Sequence, residues 1–181
     1  MARPLVQVKF AEIPEEGLRV DVDDVSWFPD DEVVRRGFPQ SVVFLERNGE
    51  RVLASGVIEV VLVLTCDRCL AEFDRPSKVD FRLILEVAVA GQSFTDRQLV
   101  DFEYNSDELE VVALEGPVVD LAELLCQQML LALPQKVLCQ DDCRGICSGC
   151  GASLNIERCG CGDVSTANSF AALEQISRNK K

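Results

Sequence analysis

Eight of the nine cysteines fall into four close pairs, Cys66/Cys69, Cys139/Cys143, Cys147/Cys150 and Cys159/Cys161, in a chain that contains no histidine. Paired thiolates a few residues apart can converge on one cation, because a tight turn points both sulfurs the same way. Eight such ligands are enough for two zinc sites of four cysteines each, closed to water and therefore structural. One or two structural Zn2+ ions are expected. Cys147, Cys150, Cys159 and Cys161 are near enough in sequence to close one site alone. Cys66 and Cys69 would then need Cys139 and Cys143. The alternative is a mixed set in which Cys139 or Cys143 replaces a later ligand. Gly149, Gly151, Gly160 and Gly162 offer the positive-φ positions that metal knuckles use. Two other readings compete: a zinc–thiolate redox switch, and inert core cysteines. Cys126 has no cysteine nearby and reads as a small buried hydrophobe.

The missing histidine removes a Ser-His-Asp triad, a Cys-His pair and a His-ligated catalytic zinc. No convincing acid–base pair remains, so no catalytic residue is assigned and a non-enzymatic protein is expected. Asp101, Glu103, Asp107, Glu108 and Glu110 lack EF-hand order and a turn glycine, and read as a solvated acidic loop.

The formal net charge of the 181 residues is -13. It is unevenly spread: residues 83–135 hold ten acidic and one basic side chain, whereas the two cysteine-rich segments are formally neutral. Nucleic-acid affinity rests on Lys and Arg neutralising phosphates, so bulk RNA or DNA should bind poorly. A basic protein is the more natural partner. Any RNA contact, through Arg68, Arg75, Lys78, Arg82, Lys136, Arg144 and Arg158, should be weak or indirect. The N-terminal residues show neither a secretory nor a transit pattern, and the apolar runs Val60–Leu64 and Met129–Leu133 are too short to span a bilayer. A cytoplasmic location without membrane contact is expected. Thiols stay reduced there, which favours metal over disulfides.

An α+β fold is expected, with an antiparallel sheet in the N-terminal half. Leu5–Phe10 and Leu18–Val25 read as short strands, and residues 30–37 as a helical turn ended by Gly37. Residues 41–47 and 50–65 flank Asn48-Gly49, the dipeptide of a type I′ turn. The second arm should be a central strand covered on both faces. Cys66–Cys69 then sits at the tip of a long hairpin whose return strand runs through 70–73 and 79–89. A short strand at 111–114 precedes one long helix that starts at Gly116-Pro117 and ends at Pro134. Its stripe is Val118, Leu121, Ala122, Leu125, Met129 and Ala132, and its last turn should be buried. A knuckle- or ribbon-like cysteine segment and a short C-terminal helix capped by Asn168 complete the chain. Residues 1–135 form the β-rich core with its packing helix. Residues 136–181 form the cysteine-rich appendix, the whole making one unit.

Cys66-Asp67-Arg68-Cys69-Leu70, the run Leu130-Leu131-Ala132-Leu133-Pro134, and residues 143–155, Cys-Arg-Gly-Ile-Cys-Ser-Gly-Cys-Gly-Ala-Ser-Leu-Asn, together resemble the bacterial YceD family. The tail Asn168-Ser169-Phe170 is similar to the family's closing helix, with Ser169 where proline is usual. The resemblance implies a role in ribosome biogenesis, in the accumulation of large-subunit (23S) ribosomal RNA. A ribosomal protein or assembly factor is then the implied basic partner.

Overall fold

The structure, a computed structural model, describes residues 7–88 and 110–161. The chain divides into two compact units, one of residues 1–64 and 73–135, the other of residues 65–72 and 136–181.

The first unit is built on a five-stranded sheet. Strand β1 is Gln7–Lys9, β2 Leu18–Val22, β3 Val34–Asn48, β4 Arg51–Thr65, β5 Glu72–Val87, β6 Glu110–Leu114 and β7 Val118–Asp120, and one helix, α1, spans Leu121–Leu131. The large sheet has the order β2-β3-β4-β5-β6, and β1 pairs with β7 in a separate two-stranded sheet. Val43, Leu45, Val52, Ala54, Ile58, Val60, Leu62, Phe81, Leu83 and Leu85 supply a single apolar core, which Trp27, Phe28 and the buried side of α1 complete.

The α+β expectation is corrected in three ways. The described residues are mostly strand, with α1 the only α-helix among them. The sheet is mixed, because β6 runs parallel to β5, with Leu83 opposite Glu110 and Val87 opposite Leu114. A parallel neighbour needs a long crossover rather than a tight turn; most of the stretch 90–115, expected to be a loop, lies outside the described residues. Third, the helix is short. Val118 and Val119 are β-branched and pair with Lys9 and Val8, which postpones the helix to Leu121. Asp120 then caps it, its side chain accepting the Glu123 N–H at 3.1 Å. Its last turn is buried on one side only, with Met129 at 1% and Leu131 at 70% exposure. The C-terminal helix and residues 101–109 of the acidic run lie outside the described residues; Glu110 is exposed on β6.

Local turns also differ from expectation. Asn48 pairs with Arg51, so Gly49 and Glu50 are the central turn residues. Only Gly49 has positive φ (61°), the II′ pattern with glycine first. Residues 29–33 form a turn closed by Val33 N–H onto Pro29 O, and residues 34–37 already belong to β3. Gly37 serves a bulge between Arg36 and Gln40 with φ 78°. Strand β4 is central, but Glu59 is exposed and Val57, Val61 and Val63 are half-buried, so only one face is fully covered.

Candidate metal centres

The second unit is organised by turns around the cysteines. At Cys66 the backbone N–H donates to Ala71 O, and Leu70 N–H returns to Cys66 O, both at 2.9 Å. The later knuckle repeats this. Cys147 N–H donates to Ala152 O at 2.8 Å, and Gly151 N–H donates to Cys147 O at 2.9 Å. In each, the fifth residue occupies the left-handed region: Gly151 at φ 74° and Leu70 at φ 59°. Leucine there carries the Cβ clash that glycine avoids. These turns hold both sulfurs of a Cys-x-x-Cys pair on one side.

The eight sulfurs gather into two groups. Cys66, Cys69, Cys139 and Cys143 form an inner set, and Cys147, Cys150, Cys159 and Cys161 an outer set, with the sulfurs of each lying within 4.8 Å of one another. This is the division in which the last four cysteines close a set alone; the mixed set does not occur. In the inner set, Sγ of Cys66 and Cys143 are 3.8 Å apart, and Sγ of Cys69 and Cys139 are 3.7 Å apart. A tetrahedron with metal–sulfur bonds of about 2.3 Å has edges of about 3.8 Å, whereas a disulfide needs about 2.05 Å. Two edges of the inner set have that length and all four sulfurs lie within 4.8 Å of one another, so the set fits a metal ion. Cys126 stands apart from both groups, half-buried on α1.

The middle residues of the first knuckle position the inner set. Asp67 N–H donates to Val137 O at 2.8 Å, while Val137 N–H donates to Asp67 Oδ2 at 2.6 Å. Arg68 Nη1 donates to Cys143 O at 3.0 Å. The knuckle is thus fastened to the segment that brings Cys139 and Cys143. Asn155 adds a further tie, its Nδ2 donating to Cys143 Sγ at 3.2 Å. Spacing arguments pick out ligands but not these supports. Asp67 and Asn155 stand in the motifs that resemble the family, and Arg68 also among the basic residues considered for RNA, but no spacing gives them these supporting roles.

The thiols within each set differ in acidity. Burial pushes the Cys66 thiol up, but backbone N–H groups of Cys69, Cys139 and Arg68 together outweigh it and bring its pKa down to about 6. Backbone N–H groups of Cys150 and Gly149 bring Cys147 down to about 6. The Asn155 side chain is the main cause that lowers Cys143. In contrast, burial and then the neighbouring sulfurs push Cys139 up to about 12, and Cys150 with Cys147 push Cys161 up to about 12. Each set thus holds at least one ready anion while a neighbour resists ionisation. A divalent cation removes that conflict by stabilising all four thiolates together.

The basic residues singled out from sequence divide between the two units. Arg75, Lys78 and Arg82 belong to the first unit; Arg68, Lys136, Arg144 and Arg158 belong to the second. Lys78 pairs with Glu59 at 3.6 Å, and Arg68 serves the inner set.

The family model for "Large ribosomal RNA subunit accumulation protein YceD" matches residues 54–177, a span that includes all eight paired cysteines. The chain belongs to the YceD family. An Arabidopsis thaliana protein named "Large ribosomal RNA subunit accumulation protein YCED homolog 1, chloroplastic" is 27% identical over 181 residues, covering 88% of this chain and 53% of its own length. An uncharacterized protein of Mycobacterium tuberculosis is 29% identical over 113 residues, covering 62% of this chain and 50% of its own length. One from Mycobacterium leprae is 25% identical over 113 residues, with 62% and 48% covered. The chain spans about half the length of the curated relatives it matches. No solved structure matches it. Among the described residues no helix is long and apolar enough to cross a membrane.

Proposed function

We propose that this chain is a non-enzymatic ribosome-biogenesis factor that supports accumulation of large-subunit ribosomal RNA by binding a basic ribosomal protein or assembly factor, and that both four-cysteine sets hold structural zinc. The observation that carries the metal part is the pair of four-thiol sets, the inner one at the spacing of a zinc tetrathiolate. Four protein ligands per ion leave no coordination position for a substrate or water. Family membership supports the link to ribosomal RNA. The charge of -13 supports a basic protein as the partner, since each filled site adds about -2 and increases repulsion from phosphates. Any direct RNA contact is secondary to the protein contact. Cytoplasmic residence fits the reduced thiols that such sites require.

Affinity isolation of the tagged chain, with and without nuclease, tests this reading. A basic large-subunit protein or assembly factor should stay bound after nuclease and leave as salt rises. Recovery of ribosomal material only through nuclease-sensitive RNA would contradict it.

A second reading has one observation in its favour: Cys150 and Cys161 of the outer set are exposed. Peroxide could take two electrons from two of these thiolates, forming a disulfide and water and releasing the ion. Zinc release by stoichiometric peroxide within minutes, with reversible loss of partner binding, would put this redox reading ahead.

A further inference from the structure

We infer that Asn155 couples the two four-cysteine sets, so that filling the outer set completes the donor geometry of the inner one. The inference rests on the metal reading above. Asn155 lies in the segment between Cys150 and Cys159, both outer-set residues, yet its side chain serves Cys143 of the inner set. Its Oδ1 accepts the Arg144 N–H at 2.7 Å and its Nδ2 donates to Cys143 Sγ at 3.2 Å. One planar amide therefore grips both the backbone beside an inner ligand and that ligand's sulfur.

The intervening chain makes this grip depend on the outer set. Residues 145–154 fold back on themselves: Leu154 N–H donates to Gly145 O at 2.9 Å, and Ile146 bridges Ser153. The knuckle Cys147–Cys150 sits within this small hairpin, and Asn155 follows at its base. Gly145, at φ 78°, passes so close to Arg68 that an added Cβ would lie 3.1 Å from the Arg68 carbonyl oxygen. The hairpin base thus lies against the Cys66–Cys69 knuckle that carries two inner ligands. A metal in the outer set joins Cys147 and Cys150 to Cys159 and Cys161. It thereby pins both ends of the segment that carries Asn155. Without that ion the segment keeps its hairpin bonds and the turn in which Ile156 and Glu157 N–H donate to Ser153 O at 3.2 and 3.1 Å, but no coordinate bond ties Cys159 and Cys161 to the knuckle, and the amide is held at Cys143 less of the time. Groups that hydrogen-bond a ligand atom tune metal affinity by roughly 10–100-fold. Linkage makes the coupling reciprocal.

The test uses 113Cd2+ as probe in the full-length reduced chain. Each tetrathiolate set should give its own NMR resonance, with the inner one assigned through Cys66→Ser. Occupancies are followed against a competing chelator. Asn155→Ala should weaken the inner set roughly 10–100-fold and abolish the effect that filling either set has on the affinity of the other. Cys159→Ser/Cys161→Ser should weaken the inner set by up to the same factor, and combining it with Asn155→Ala should add nothing to the loss that Asn155→Ala causes alone. Asn155→Asp keeps an acceptor for Arg144 but turns a carboxylate towards the Cys143 thiolate. It should weaken the inner set at least as much as alanine. Coupling is overturned if loss of the outer set leaves inner affinity unchanged, if the two losses multiply, or if Asn155→Asp behaves as wild type. Absence of any thiolate-bound cadmium in the wild-type chain would instead overturn the metal reading, and this inference with it.

Discussion

The inner and outer sets use the same four-thiol chemistry in opposite surroundings. In the inner set Cys66, Cys69 and Cys143 are buried and Cys139 is half-buried; in the outer set Cys150 and Cys161 are exposed and the other two half-buried. The inner set also closes a much longer loop, with Cys66 and Cys143 separated by 77 positions, against 14 between Cys147 and Cys161. Each doubling of a loop costs about 0.6 kcal/mol in closure entropy, so the inner closure is about 1.5 kcal/mol more demanding. The difference teaches that identical donor sets can have different duties. The inner set is a staple between distant segments, and the outer set stiffens a local turn and faces solvent.

The largest difference should appear on removing a ligand. Cys66→Ser should lower the Tm of the metal-loaded protein by roughly 10 °C or more, because metal binding and folding of the second unit are coupled. Cys161→Ser should lower it by less than half as much. Calorimetry that found equal effects would break the distinction. Cys126→Ser, on the half-buried helix position outside both sets, should change Tm least of the three.

Reactivity should separate the sets next. With metal bound, alkylation by a small electrophile should reach Cys150 and Cys161 at least roughly tenfold faster than Cys66 and Cys143, as peptide mapping would show, because attack needs an accessible thiolate. Equal rates would mean that burial does not protect the inner set.

Acid should affect both sets in the same direction. Cys66 and Cys147, with pKa values of about 6, are anions at neutral pH in the metal-free protein. As pH falls through 6 they take up protons and lose the charge that first meets a cation. Metal capture, followed by stopped-flow with Co2+, should slow by about tenfold per pH unit below that point and level off above it. A flat profile from pH 5 to 8 would contradict the assignment of these two sulfurs as entry ligands.

The smallest effect compares the knuckles themselves. Leu70 is 64% exposed and holds φ 59°, so glycine there relieves strain while losing little packing. Leu70→Gly should stabilise the protein by up to about 1 kcal/mol, whereas Gly151→Ala, at φ 74°, should cost about 1 kcal/mol. Denaturant curves showing the same sign for both would sink the claim that the knuckles share one backbone geometry.

What could be read from sequence was what local chain geometry determines. The Cys-x-x-Cys knuckles, the hairpin arms around Gly49 and the short strand at 111–114 depend on residues close in sequence. What could not be read depends on distant partners. Val118 and Val119 look helical beside Leu121 and Leu125 until Val8 and Lys9 offer them a strand. The direction of β6 depends on which edge it reaches, and nothing in Val111-Val112-Ala113-Leu114 encodes that. The cysteine spacings left the division of ligands open, and they carried no sign that one set is buried and the other exposed. Asn155 is the clearest case: its role at Cys143 comes from a fold-back of the chain that no spacing rule describes.

Elemental analysis of the reduced chain, purified without chelator and compared with Cys147→Ser/Cys150→Ser, tests the central claim most directly. Two zinc ions per wild-type chain and one in the variant, with the second unit still folded, are the predicted result. No metal in the wild-type chain, or the same metal content in both proteins, would contradict the account of two separate four-thiolate sites.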